Sequence, residues 1–152
     1  MTRDRKHTRL AVYLVGYKDD NILLGKRQNT GHMDGYWSLV AGHINERESA
    51  TDAIFRECLE ECDLKISHDE LKCAGVMHHK SGEFDYVSFI YSLDLKGKTI
   101  RNCETDKCEE LKFHPVDNLP KPIAPYVHFI IEKTLSFKTP WIAEYGWDDI
   151  LL

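Results

Sequence analysis

One short segment constrains this chain more than any other, because residues 49–62 carry two separate arcs of side chains when wound as a helix of about 100° per residue. The apolar arc contains Phe55, Cys58, Leu59 and Cys62. The second arc contains three glutamates, Glu57, Glu60 and Glu61. Side chains three or four positions apart are neighbours on a helix, so the three carboxylates converge. The segment therefore needs a core against one side and either water or a cation against the other.

The three converging glutamates have two interpretations. Like charges on one helix face repel one another and cost stability. A solvated acidic face, which is common on helices, tolerates that repulsion in water. A metal platform removes it, because Mg²⁺ prefers carboxylate oxygens and bridges protein carboxylates to substrate phosphates. Helical geometry alone leaves both interpretations open.

Composition and charge exclude several classes of protein. The chain has 152 residues, 42% of them hydrophobic and 30% charged, with a net charge of -5. That charge argues against a broad basic surface for extended nucleic acid. No apolar run approaches the roughly 18 residues of a membrane span, and residues 1–9 lack the apolar core of a signal peptide. We expect a single domain over residues 1–152, a cytoplasmic location and no membrane partner.

The remaining sequence predicts a mixed architecture. Apolar, β-branched and aromatic runs predict strands at residues 10–17, 22–24, 36–41, 71–79, 84–95 and 111–116. Pro125 suits the first turn of a second helix, whose apolar stripe contains Ile123, Val127, Ile130, Ile131 and Leu135. Residues 97–110 are polar and predict a long loop, and the tail from Trp141 is expected to pack. This uneven alternation favours an α/β (α+β) fold in which helices sandwich a sheet.

Residues 42–64 resemble the Nudix box, Gly-x5-Glu-x7-Arg-Glu-U-x-Glu-Glu-x-Gly-U, where U is aliphatic. Seven of its nine defined positions match: Gly42, Glu48, Arg56, Glu57, Glu60, Glu61 and Leu64. Cys58 stands at an aliphatic position, where it packs like a small hydrophobe. Asp63 stands where a glycine would cap the helix in the left-handed conformation. Because aspartate tolerates that conformation better than most residues, we expect an intact loop-helix-loop.

The resemblance, which extends over roughly residues 8–135, is to a small MutT-like Nudix hydrolase. It implies an α/β/α sandwich with a mixed sheet, and an Mg²⁺-dependent enzyme (with Mn²⁺ as a substitute) that cuts a phosphoanhydride bond in a nucleoside diphosphate linked to another moiety. The leading hypothesis is a nucleoside triphosphate pyrophosphohydrolase, acting for example on oxidised purine nucleotides. The alternatives are an ADP-ribose or nucleotide-sugar pyrophosphatase, and a nucleotide-binding domain without catalysis. The expected partner is a small nucleotide, and the expected state a monomer or homodimer.

The same resemblance assigns roles by position. The metal ligands are Glu57, Glu60, Glu61 and the backbone carbonyl of Ala41. Glu57 is also the candidate general base, oriented by Arg56, and Glu48 is a third catalytic candidate that supports the helix and assists the metals. A further ligand is expected from a downstream loop, with Glu104 the first choice among Glu104, Asp106, Glu109 and Glu110. For substrate binding, Arg27 matches a phosphate-contacting position, with a surface arginine as the alternative. Trp37 is a candidate for a base pocket, with core packing as the alternative.

Overall fold

The structure, a computed structural model, describes residues 7–147. Its two helices are α1 (Ala50–Cys62) and α2 (Pro125–Ser136). Its strands are β1 (Thr8–Lys18), β2 (Asn21–Arg27), β3 (Trp37–Ser38), β4 (Val40–His43), β5 (Lys72–Ser81), β6 (Phe84–Asp94), β7 (Cys108–Pro115) and β8 (Trp141–Tyr145). Neither helix in residues 7–147 has the length and apolarity that crossing a membrane requires.

The eight strands form one mixed sheet. Six follow the order β3-β2-β1-β6-β5-β8, while β4 pairs with β1 and β7 pairs with β2. The β1–β6 and β5–β8 pairs are parallel, and the remaining pairs are antiparallel. A parallel neighbour for β1 requires a long connection, which the chain supplies between residues 18 and 84. The predicted mixed sheet is therefore confirmed.

Alternation along β1 divides the core into two layers. Val12 and Leu14 point to the side of α1, where they pack with Ile54. Val15 points to the side of α2, where it packs with Ile130. Successive side chains of a strand point to opposite faces, so each face of the sheet needs its own cover. One helix on each face confirms the predicted α/β/α sandwich, and full burial of each such aliphatic side chain contributes about 1.5–3 kcal/mol.

The sheet opens beside β1, and this opening positions the site. β1 pairs with β2 only at Tyr17 and Lys18, close to the tight turn. Closer to the N-terminus of β1, the same edge of the strand pairs with β4 over residues 11–14. Because β2 has diverged from β1, the end of β2 at Arg27 and the middle of β4 at Ala41 border a common space between the strands.

Several element boundaries differ from the predictions. The predicted strand at 36–41 is two strands, because Trp37 and Ser38 pair with β2 whereas residues 40–43 pair with β1. The predicted loop at 97–110 ends earlier, because β7 starts at residue 108 and extends the β2 ladder. The tail packs as predicted at Trp141, which is 6% exposed, and residues 148–152 lie outside the described residues. Leu135 is 54% exposed, so its predicted place in the stripe is wrong.

Candidate active site

Helix α1 has a defined cap at each end. The Ser49 hydroxyl accepts a hydrogen bond from the backbone N–H of Asp52 at 3.1 Å, which starts the helix. At the other end Asp63 has φ 55° and ψ 29°, the left-handed conformation. Its N–H donates to the Leu59 carbonyl, and the next N–H donates to the Cys58 carbonyl. The loop-helix-loop is intact with aspartate at this position, as predicted from the sequence.

The glutamates of α1 border a cavity of about 310 Å³, here called the acidic cavity. Four glutamates line it, Glu57, Glu60, Glu61 and Glu104. Three cationic residues line it as well, Lys26, Arg27 and Lys107. Its wall also includes Ala41 of β4. The structure thus brings together the glutamates, the alanine and the arginine singled out in the sequence, whereas Asp106, Glu109 and Glu110 do not line the cavity.

Arg56 donates hydrogen bonds to three glutamates, Glu48, Glu57 and Glu60. Its guanidinium donates to both carboxylate oxygens of Glu48, at 2.7 and 2.9 Å, and to Oε1 of Glu57 at 2.5 Å. It also reaches the backbone carbonyl of His43 at 3.0 Å and Oε2 of Glu60 at 3.4 Å. Hydrogen bonds from Arg56 and from a backbone N–H lower the pKa of Glu48 to about 2. Glu48 does not line the acidic cavity; it contacts Arg56, which in turn orients Glu57.

Gly42 lies directly against Glu57. A Cβ atom added to this glycine would overlap with the Glu57 carboxylate. The backbone of β4 and the face of α1 therefore approach more closely than any side chain on residue 42 would allow. Here the glycine of the motif serves close packing and not a left-handed turn, since its φ is not positive.

Glu61 carries the least compensated charge in the acidic cavity. Among residues 7–147, its carboxylate accepts a single hydrogen bond, from the backbone N–H of Ala41 at 3.4 Å. Burial, with a further contribution from the neighbouring Glu57, raises the pKa of Glu61 to about 8. Burial also raises the pKa of Glu57, although Arg56 opposes this. A carboxylate held against the core without a cationic partner is costly when ionised, and a bound cation would remove that cost.

The carboxylates fit a hard divalent cation by charge and donor type. All four side chains offer oxygen ligands, which Mg²⁺ and Mn²⁺ accept. Within residues 7–147, no three acidic, histidine or cysteine side chains converge closely enough to form a ready-made coordination group. Arg56 holds one oxygen of Glu57 and one of Glu60 on its own side. Cation binding would therefore require small rotations of glutamate side chains that already share one cavity.

A second cavity of about 220 Å³, here called the aromatic cavity, lies on the α2 side of the sheet. Rings from six residues line it, Tyr13, His32, His43, His79, Tyr86 and Tyr126. His79 is stacked on Tyr86, with centroids 5.1 Å apart, and more distantly on Tyr126 at 6.4 Å. A nitrogen of its ring forms a 2.9 Å hydrogen bond with the Ser88 hydroxyl. Burial lowers the pKa of His79 to about 4, so this ring is uncharged around neutral pH, in contrast to the cationic residue at the border of the cavity.

Arg27 forms that border, because it lines both cavities together with Ala41. The Arg27 guanidinium donates to the backbone carbonyl of His32 at 2.9 Å and to the hydroxyl of Thr30 at 3.1 Å. Both acceptors are neutral, and no carboxylate in residues 7–147 pairs with it. Its charge is therefore available to an anion that extends across both cavities.

Trp37 is not brought to either cavity. It is 6% exposed and belongs to the core on the α2 side, with its ring edge-on to His114 at 4.4 Å. Core packing, the alternative interpretation of its sequence position, describes what it does. Sequence reasoning missed Lys107, although it follows Glu104 by three residues in the same polar loop. It also missed Tyr13, Tyr86 and Tyr126, because no sequence signal brings tyrosines from two strands and a helix to one cavity.

Comparisons with known proteins agree with this geometry. A family model described as the NUDIX domain matches residues 7–132. The chain is 29% identical over 115 residues to an ADP-ribose pyrophosphatase of Methanocaldococcus jannaschii (76% of this chain, 66% of that protein). It is 27% identical over 64 residues to an 8-oxo-dGTP diphosphatase of Proteus vulgaris (42% and 57%). The chain thus spans less than two thirds of either relative. The crystal structure of a MutT NUDIX hydrolase from Burkholderia pseudomallei matches with a TM-score of 0.75 and 24% identity, over 84% of this chain and 98% of that one.

Proposed function

The chain belongs to the NUDIX family, and from that premise we propose that it is an Mg²⁺-dependent hydrolase of a phosphoanhydride bond in a nucleoside diphosphate linked to another moiety. One observation carries the proposal. The acidic cavity contains both the Glu61 carboxylate, whose pKa is raised by burial, and the Arg27 guanidinium, which forms no ion pair within residues 7–147. One pocket therefore offers a ligand for a cation and a contact for phosphate.

The proposed metal ligands are the four cavity glutamates and the backbone carbonyl of Ala41. Bound Mg²⁺ would neutralise phosphate charge and lower the pKa of an attacking water. Arg56, which is itself held by Glu48, donates to Oε1 of Glu57, while Oε2 of Glu57 accepts no hydrogen bond from the described residues. We assign Glu57 as the general base. It takes a proton from water as the water oxygen bonds to phosphorus and the bond from that phosphorus to the bridging oxygen breaks.

The proposed substrate is a nucleoside triphosphate, which the enzyme cuts to a nucleoside monophosphate and pyrophosphate. Three cationic residues line the acidic cavity, which favours a substrate with a long polyphosphate over a diphosphate-linked sugar. The base would occupy the aromatic cavity, where stacking on rings such as Tyr86 stabilises any nucleobase. Oxidised purine nucleotides are the first substrates to test. ADP-ribose is the second candidate, since the two relatives differ in their named substrates.

The test is a product assay with a panel of nucleoside triphosphates, their oxidised purine forms, ADP-ribose and nucleotide sugars, with and without Mg²⁺. The proposal requires Mg²⁺-dependent turnover that Glu57→Gln and Glu61→Gln each lower by at least about 100-fold. Glu46→Gln is the matched control, because that glutamate side chain is 92% exposed and lies outside the acidic cavity. Pyrophosphate release identifies the triphosphate reaction, and AMP release from ADP-ribose identifies the alternative. Nucleotide binding by calorimetry without any product would instead support a non-catalytic domain.

A single domain over residues 1–152, a cytoplasmic location and a monomeric or homodimeric state also belong to the proposal. Size-exclusion chromatography with light scattering tests the oligomeric state, and limited proteolysis tests the domain.

A further inference from the structure

The loop that carries Glu104, residues 101–107, is here called the bridging loop, because it is hydrogen bonded to both sides of the acidic cavity. On the α1 side, the backbone N–H of Arg101 donates to the Cys62 carbonyl at 3.2 Å, and that of Cys103 donates to the Glu61 carbonyl at 3.0 Å. These are among the last carbonyls of α1, which have no partner inside the helix. The loop thus caps the same helix whose glutamates face the cavity.

On the opposite side, two amide side chains next to Arg27 hold the loop. Nε2 of Gln28 donates to the backbone carbonyl of Thr105 at 2.8 Å, and Nδ2 of Asn29 donates to that of Asp106 at 3.0 Å. The backbone N–H of Gln28 adds a third bond, to the residue 107 carbonyl, at 2.8 Å. The partners of the two side-chain bonds are 77 residues apart in the chain, so these bonds are tertiary contacts that fix the loop to the end of β2.

Glu104 depends on this attachment more than the other three cavity glutamates do. Those three project from a capped helix, whereas Glu104 lies in a turn. The backbone carbonyl of Glu104 accepts hydrogen bonds from the N–H groups of Lys107 and Cys108, at 2.9 and 2.8 Å, and these close the turn. Because these bonds lie within the turn, they do not orient it. The bonds from the bridging loop to α1 on one side and to Gln28 and Asn29 on the other determine how the Glu104 side chain is directed into the acidic cavity. Nearby, the ammonium of Lys107 lies 3.3 Å from a Glu104 oxygen, which provides a countercharge until a cation binds.

We propose that Gln28 and Asn29 are positioning residues, which hold the bridging loop so that Glu104 shares a divalent cation with the glutamates of α1. The inference rests on the proposed metal site but not on the identity of the nucleotide. It gives two polar residues outside the motif a role in cation affinity, exerted through the loop and not by contact with the cation. Ligand sets lose affinity when the groups that orient them are removed.

The chain offers clean variants for a test. Gln28→Ala removes the amide and keeps the backbone N–H bond. Asn29 has φ 53°, so Asn29→Gly removes the second amide while suiting the left-handed backbone. Asn118→Ala is the matched control, since Asn118 is an exposed amide on a turn outside both cavities.

The first experiment measures Mn²⁺ binding to the metal-free protein by electron paramagnetic resonance of free Mn²⁺. Gln28→Ala and Asn29→Gly should each weaken Mn²⁺ binding about threefold to tenfold, the loss of one ordinary hydrogen bond. In a Glu104→Gln background, Gln28→Ala should cause no further loss, because both changes remove the same ligand. Losses that multiply in the double variant, or an affinity unchanged in both single variants, would overturn the proposal.

The second experiment measures hydrogen exchange of the bridging loop in the same metal-free proteins. Exchange of the Cys103 amide should accelerate in Gln28→Ala and Asn29→Gly and stay unchanged in Asn118→Ala, with thermal unfolding temperatures close to wild type. An unchanged exchange rate would refute the positioning role. Mn²⁺ binding that requires Glu61 and Gln28, in a protein that turns over no nucleotide, would defeat the proposed function and leave this inference standing.

Discussion

The acidic and aromatic cavities share a wall but are built in opposite ways. The acidic cavity takes three of its four glutamates from one helix, α1, so neighbours in sequence become neighbours in space. The aromatic cavity takes its rings from β1, β4, β5, β6, α2 and the loop after β2. The acidic cavity holds a buried carboxylate, Glu61, whose pKa is raised, whereas the aromatic cavity is lined largely by tyrosine and histidine rings. From this contrast we infer that the acidic cavity performs the chemistry and the aromatic cavity selects the substrate, with Arg27 between the two cavities.

The largest expected effect separates chemistry from binding. Glu57→Gln should lower kcat by about 100-fold to 10,000-fold, the usual contribution of a general base, while nucleoside binding in the aromatic cavity persists. Steady-state kinetics gives the first value, and calorimetry with a nucleoside lacking phosphates gives the second. If both fall together, the variant has damaged the fold, and the proposed division is not supported.

The next effect tests the close approach of β4 to α1. Gly42→Ala should destabilise the protein by about 1–3 kcal/mol, the usual cost of overpacking, and should lower activity by displacing Glu57. Chemical denaturation measures the stability change. In a Glu57→Ala background the same substitution should cost much less, because the overlapping carboxylate is gone. An equal cost in both backgrounds would mean that Glu57 is not the obstacle.

The contrast between the cavities also explains what the sequence could predict. The box register in residues 42–64 identified the glutamates and Arg56 because helical spacing is local. The left-handed Asp63 was predictable for the same reason. Trp37 could not be assigned to core or cavity, since that depends on β3 leaving β4 after residue 38. Tyr13, Tyr86 and Tyr126 meet only through strand pairing and the docking of α2, neither of which can be read from spacing.

A third effect distinguishes the cavities by pH. The pKa of Glu61 is raised from an ordinary value of 4.5 to about 8, so the folded metal-free protein retains a proton that the unfolded chain has lost. Its stability should therefore decline as pH rises from about 4.5 to about 8, and added Mg²⁺ should reverse that decline.

The same proton competes with the cation. Below pH 8, the affinity of the acidic cavity for Mn²⁺ should fall by about tenfold per pH unit, the slope for release of one proton. In the aromatic cavity, His79 should add no pH dependence to nucleoside binding from pH 6 to 8, because its pKa is about 4. Titrations at pH 6, 7 and 8 measure the Mn²⁺ affinity and the nucleoside affinity. Glu61→Gln should flatten the pH dependence of the Mn²⁺ affinity. A steep slope that survives in Glu61→Gln would assign the proton to another group.

The smallest effect belongs to the aromatic cavity. Tyr86→Ala removes the ring stacked on His79, and a stacked pair contributes about 0.5–1.5 kcal/mol, so KM should rise about twofold to tenfold with kcat little changed. Mn²⁺ affinity should not move, because Tyr86 lies on the other side of the shared wall. Phe84→Ala is the matched control, an aromatic on the same strand that is 44% exposed and outside the cavity. A fall in kcat with constant KM would place Tyr86 with the chemistry and remove the distinction between the two cavities.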